Sequence, residues 1–283
     1  MTNPFKEGVM KTARVNDIDI RYELTGEGEP LLLIHGSNIA TGLRPLATAL
    51  SRRAPSLSLV RYHRRGVGGS TGRDWPISTE QQASDALGLL DALDLPSAHI
   101  LGYSYGATVA IEAALAAPDR TRSLILVEPI LSEAPSSQAF FSGMDPVMSL
   151  YAAGDMAGAA TATFAALGGE NWPELVATAA PDAFDMAVRD TEMFYRAEWP
   201  ELTAWTFSPT RAAAVSAPVL SVLGTRSGPF FSEGRQLIHQ RFQRCTDADI
   251  PGTNHLLYLQ APEVIAAEIT HFLIQHSASQ QTS

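Results

Sequence analysis

The chain has 283 residues, 45 % hydrophobic and 18 % charged, a balance that excludes a disordered chain and fits one large α/β domain with an insertion, or two domains. Twenty basic against thirty acidic side chains leave a net charge of −10, which argues against nucleic acid and against an anionic membrane surface as partners. The single cysteine, Cys245, excludes an intramolecular disulfide and a cysteine metal cluster, and is read as a small core residue. The opening MTNPFKEGVMKTARV lacks the apolar stretch of a secretory signal, so cytoplasmic residence is the expectation, and the tail SASQQTS is expected to fray.

Ile18, Ile20, Tyr22 and Leu24 alternate as in a half-buried strand, and the Gly26 to Pro30 punctuation turns the chain into Leu31 to Ile34, which predicts an opening hairpin. Residues 56–62, 98–103, 122–128 and 217–224 are short, nearly continuous apolar runs, as strands buried on both faces would be. Helical patterns separate them. Ser78-Thr79-Glu80-Gln81 fits a capping box before Ala83, Ala86, Leu87 and Leu90, and the alanine-rich stretch from Ala107 to Ala117 stops at Pro118. Alternating strand and helix predicts a mostly parallel sheet covered by helices.

The strand pattern vanishes over 129–215, where helical pieces such as Asp155 to Leu167 and Asp182 to Arg196 predict an inserted helical cap, with 1–128 and 216–283 forming the core domain. The insertion holds half of the chain's 22 aromatic residues, among them Phe140, Phe141, Trp172, Phe194, Tyr195, Trp199 and Trp205. It also carries 11 acidic against 3 arginine side chains. The aromatics either glue the insertion to the sheet or line a pocket, and both uses remain open.

Gly102-Tyr103-Ser104-Tyr105-Gly106 is a G-x-S-x-G placed where a buried strand passes into a helix. Such a turn lifts the serine hydroxyl above the sheet, and the helix start aims the Tyr105 N–H at a developing oxyanion. A serine needs a base, and His255, in a loop before the last helix, is the candidate. His239, His271 and His276 fall in or beside surface helices, and His99 begins a strand. No H-E-x-x-H or clustered ligand pattern occurs, so no metal is expected.

With these motifs in order, the chain resembles the α/β-hydrolase superfamily from Ile18 to Gln275. His35-Gly36-Ser37-Asn38 is similar to the family's His-Gly segment, which implies that Ser37 gives the second oxyanion N–H. Arg65-Gly66-Val67-Gly68-Gly69-Ser70 resembles the family's R-G-x-G-x-S turn, with His63 where Asp is common. The same run is no dinucleotide loop, because the third glycine of G-x-G-x-x-G would fall on Thr71. Relatives often place an Asp after the seventh strand; here that slot is Ser227.

Glu128 is the alternative acid. It ends the apolar run of 122–128, and equivalent ends of neighbouring parallel strands lie about 5 Å apart. It resembles the Glu that certain lactonases carry after the sixth strand; otherwise it caps the Pro129 turn or pairs with an arginine. The resemblance implies a cofactor-independent serine hydrolase of apolar or aromatic esters or lactones. Ser104, His255 and Glu128 would be catalytic, and Asn38, Tyr103 and Trp199 would contact a small-molecule substrate. Carbon–carbon bond hydrolysis of a β-diketone-like compound, or a non-catalytic binding protein on the same scaffold, are the competing expectations.

Overall fold

The computed structural model describes residues 9–73 and 75–280. Eight strands, β1 (Lys11–Val15), β2 (Ile18–Thr25), β3 (Glu29–Ile34), β4 (Leu57–Tyr62), β5 (Ala98–Tyr103), β6 (Thr121–Val127), β7 (Val219–Gly224) and β8 (Cys245–Ile250), form one sheet in the order β1-β2-β4-β3-β5-β6-β7-β8. Only β2 runs against its neighbours. Helices α1 (Arg44–Arg53), α2 (Thr79–Ala92) and α3 (Tyr105–Ala116) link the early strands. Between β6 and β7 come α4 (Ser137–Ser142), α5 (Asp145–Ala152), α6 (Met156–Gly168), α7 (Trp172–Ala179) and α8 (Ala183–Met193), then a π-helical turn (Phe194–Glu198), α9 (Trp199–Ala204) and α10 (Pro209–Ala212). The chain closes with α11 (Pro229–Arg241), α12 (Leu257–Gln260) and α13 (Pro262–Gln280).

Alternation along the strands divides the core into two layers. Leu32, Ile34, Ile100, Leu124 and Leu126 face Ala86, Leu89 and Leu90 of α2 and Val109 and Ala110 of α3. Leu31, Leu33, Leu101, Ile125 and Val127 face Leu46 and Leu50 of α1 and Ile265, Ile269 and Phe272 of α13. A sheet buried on both faces has no need of polar alternation, which is why β5 and β6 read as nearly unbroken apolar runs. Ser78 is the N-cap of α2, accepting the Gln81 N–H at 3.1 Å, while the Gln81 side chain turns to Asp85 at 3.3 Å rather than completing the box.

The opening hairpin differs from the expectation. β2 and β3 do not pair; β2 lies antiparallel to β4, and β4 stands between them. The opening hairpin is formed instead by β1 and β2, turning at Asn16 with φ 50°. The glycine-rich turn reverses nothing locally because β3 must enter between β4 and β5. Cys245 is half-buried at the start of the edge strand β8 rather than deep in the core. The tail is helical to Gln280, and residues 1–8 and 281–283 lie outside the described residues. Among the described residues no helix is long and apolar enough to cross a membrane.

The segment between β6 and β7 is fastened to the rest by its own acids. Asp182 meets Arg44 at 2.7 Å, Asp190 meets Arg73 at 2.7 Å and the Gly68 N–H at 3.0 Å, and Glu201 accepts the Thr79 N–H at 2.9 Å. The acidity expected on its outer surface is thus partly spent on these contacts. Its aromatics serve both uses left open above. Trp205 and Phe207 stack at 5.3 Å and Phe207 packs on Phe242 of the core, whereas Phe140, Phe141, Phe164, Phe194 and Trp199 line a cavity.

Candidate active site

The candidate residues gather at the carboxyl ends of the parallel strands. Ser104 sits between β5 and α3 at φ 54°, ψ −126°, a conformation that costs a non-glycine residue about 1–3 kcal/mol and persists where its surroundings hold it. The surroundings here are tight. A Cβ on Gly102 would lie 2.2 Å from the Gly106 carbonyl oxygen, and one on Gly106 would lie 2.3 Å from the carbonyl oxygens of Ile34 and His35. Both glycines of the motif are therefore demanded by packing, and the Ser104 N–H is pinned to the Val127 carbonyl at 2.9 Å.

The register carries the acid to the same place. Tyr103 pairs with Val127, so Ser104 and Glu128 leave neighbouring strand ends together, and Glu128 too has a positive φ, 49°. Glu128 Oε2 lies 2.6 Å from His255 Nδ1, and Glu128 Oε1 accepts the Gly224 N–H at 2.7 Å. An ionised carboxylate only accepts, which puts the imidazole proton on Nδ1. Nε2 then turns a lone pair toward the Ser104 hydroxyl, 3.1 Å away. Such a relay can take a proton from serine and return it to a leaving group. Neither alternative use of Glu128 is seen: no arginine pairs with it among the described residues, and its carboxylate points to His255.

The imidazole is held on both faces. Phe231 stacks on it at 4.3 Å and 16°, and the Tyr103 ring lies 5.0 Å away on a 31° tilt. Tyr103 also donates its hydroxyl to the His255 carbonyl at 2.7 Å, and burial pushes its phenol well above the ordinary value, so it stays a neutral donor. Phe231 lies outside every motif. Only the helical spacing of the 229–241 segment hints at an inward face.

Ser227 is not in this network. Its N–H closes a turn to Gly224 at 3.1 Å, and its hydroxyl has no partner among the described residues. Tyr105 begins α3, where the first N–H groups lack intrahelical partners. Its ring turns away from the cavity toward Thr79 and Arg64. Ser37 and Asn38 line the cavity, and their buried Oγ and Oδ1 atoms have no hydrogen-bond partner among the described residues.

Ser104 and His255 open into a narrow slot with a cavity volume of about 50 Å³. Tyr103 and Trp199 form part of its wall, together with Phe140, Phe141, Met144 and Phe194. A narrow apolar slot suits a flat or short-chain group. His239, Cys245 and Asp247 bring ligand-type atoms within 4.8 Å of one another, but at the opposite end of β8 from His255 and beside Arg235, which pairs with Asp247 at 3.5 Å.

Comparison with known proteins bears on the fold and the family. A putative carbamate hydrolase, RutD, from Azorhizobium caulinodans is 39 % identical over 120 residues, 42 % of this chain and 44 % of that protein. A 2-hydroxymuconate semialdehyde hydrolase from Pseudomonas putida is 34 % identical over 103 residues, 36 % of this chain and 37 % of that protein. The chain thus spans less than half the length of these curated relatives. The enol-lactonase of Burkholderia xenovorans LB400 superposes with a TM-score of 0.78 at 20 % identity, over 93 % of this chain and 100 % of that one. Residues 31–268 match the model of the alpha/beta hydrolase family, and with the fold and the strand-end serine in view the chain belongs to that family.

Proposed function

We propose that the chain is a cofactor-independent serine hydrolase that cleaves an apolar or aromatic carboxylic ester or lactone through an acyl-enzyme. The observation that carries this reading is the unbroken chain from Ser104 Oγ to His255 to Glu128, at 3.1 and 2.6 Å, opening into an apolar slot. Ser104 attacks the carbonyl as Nε2 of His255 takes its proton, and Glu128 stabilises the resulting imidazolium. The N–H groups of Ser37 and Tyr105 hold the oxyanion. His255 then protonates the leaving alcohol, and water enters by the reverse sequence. The segment 129–215 acts as the cap that shapes the slot.

Carbon–carbon bond cleavage is the second reading. The similarity to the semialdehyde hydrolase favours it, and the unpartnered Ser37 hydroxyl offers a donor to a second carbonyl. Intact mass after exposure to a small fluorophosphonate, beside Ser104→Ala, tests the serine without knowledge of the substrate. One adduct on the native chain and none on the variant is expected. A folded native chain that stays unmodified would overturn the reading in favour of a binding protein. Product analysis on a matched ester and β-diketone then separates the two reactions.

A further inference from the structure

Among the described residues Arg64 is the largest fully buried side chain, and the relay does not use it. Its neighbour Arg65 serves the scaffold, pairing with Asp85 at 2.6 Å and Asp17 at 2.7 Å. Arg64 instead reaches under the segment that precedes the cavity. Its Nε donates to the His35 carbonyl at 3.0 Å and its Nη2 to the Gly36 carbonyl at 3.1 Å, while the guanidinium carbon stands 4.9 Å from the Tyr105 ring centre. One cation therefore touches the peptide that precedes Ser37 and the ring of Tyr105.

The Gly36 contact matters most, because the Gly36 carbonyl and the Ser37 N–H belong to the same planar peptide unit. Fixing the oxygen fixes the direction of the N–H. The same oxygen receives a second bond from His35. The Arg64 backbone N–H donates to His35 Nε2 at 3.0 Å, so the ring proton is on Nδ1, and it donates to the Gly36 carbonyl at 2.7 Å. Burial and the Arg64 charge hold His35 well below its ordinary value, which keeps it in this neutral form. Two donors on a peptide oxygen polarise the unit and strengthen its N–H as a donor.

The guanidinium is itself held by the inserted segment. Glu198, the last residue of the π-helical turn, accepts from Arg64 Nη2 at 2.6 Å, with both side chains essentially inaccessible to solvent. Burial pushes the Glu198 carboxyl up, against the pull of Arg64 and of the Ser37 hydroxyl. A buried ion pair adds little net stability over an apolar pair of the same size, so a structural reason alone accounts poorly for it.

We propose that Arg64 is a positioning residue that orients and polarises the Gly36–Ser37 peptide as an oxyanion donor, and that Glu198 delivers this control from the inserted segment. The inference rests on the serine-hydrolase reading. Its test is the charge-neutral pair Arg64→Met with Glu198→Gln, assayed with 4-nitrophenyl acetate, with phenylboronic acid as a tetrahedral analogue bound to Ser104, and with fluorophosphonate labelling. Removing an oxyanion donor costs about 10²–10³ in kcat, and misdirecting one should cost about 10–100-fold. The expected result is that loss in kcat with KM within about threefold, and a matching loss in boronate affinity, whereas a purely structural role would leave the boronate unmoved. Arg64→Lys, which keeps the buried charge but not the fork, reads the same effect if the double variant does not fold, and should lose kcat about fivefold or more. Native-like kcat in the folded double variant or in Arg64→Lys, or a loss of kcat without loss of boronate affinity, would overturn the proposal alone. An unlabelled native chain would overturn it together with the reading beneath it.

Discussion

Replacing Glu128 by Gln leaves the shape of the buried site almost unchanged and alters only which atoms donate. In the native site one carboxylate oxygen faces a fixed backbone donor, the Gly224 N–H at 2.7 Å, and the other faces His255 Nδ1 at 2.6 Å. A glutamine has one oxygen for these two donors. Gly224 cannot change its hydrogen, because the β6–β7 pairing at Val127 and Val222 fixes its strand. The amide oxygen therefore turns to Gly224 and the NH₂ to His255, which forces the imidazole proton from Nδ1 to Nε2. The ring then presents a hydrogen to the Ser104 hydroxyl where a lone pair is needed. The wrong tautomer in a serine protease lowers kcat about 10⁴-fold, which is about 5 kcal/mol of transition-state stabilisation. The expected outcome for Glu128→Gln is a kcat loss of that order on 4-nitrophenyl acetate, a similar loss in fluorophosphonate labelling rate, and an intact thermal transition. Nitrogen-15 shifts of His255 should report the exchanged tautomer. Turnover within tenfold of native, or an unmoved tautomer, would refute the argument.

Ser227→Ala should change kcat by less than about twofold, since its hydroxyl is unpartnered and Glu128 occupies the Nδ1 edge of His255; a large loss would mean that the family's usual acid position matters here. His63 bears on stability against pH. Its Nδ1 donates to the Gly68 carbonyl, its buried Nε2 has no partner, and burial lowers it from 6.5 to about 4. The unfolded chain therefore holds the extra proton between those values. Stability is whole above pH 6.5 and falls as pH drops toward 4, by about 2 kcal/mol at pH 5 from this residue. Denaturant unfolding at pH 7 and 5 should show His63→Asn losing about that much less than the native chain, and equal losses would refute the assignment.

The features legible in the sequence were those fixed by neighbours along the chain. Gly102 to Gly106 announce the serine because the turn needs both glycines within five residues, and Glu128 follows because a strand end tells where its side chain emerges. The pairing of β2 is not legible because a glycine-rich turn looks alike whether the next strand folds back beside it or enters two places away. β1 went unread, its KTARV sequence being that of an exposed edge strand. Phe231 against His255 and Glu198 against Arg64 join residues far apart in the chain, with no local pattern to mark either. Aromatic abundance in the insertion signalled a surface to cover, but only the packing separates Trp205, turned to the core, from Trp199, turned to the cavity.

The imidazole wedged between Phe231 and Tyr103 imposes an order on molecular traffic. Under the proposed reaction, a ring held there passes its proton out along the Nε2 edge by which it came, so the departing alcohol and the arriving water use one berth in turn. A simple ester empties that berth when its alcohol diffuses away. A lactone does not, because its alcohol remains tied to the acyl chain and stays as a rival to water for the same carbonyl. For cyclic substrates the narrow slot thus becomes a matter of reversibility: net opening requires that the tethered hydroxyl swing clear, and ring size decides how often it does.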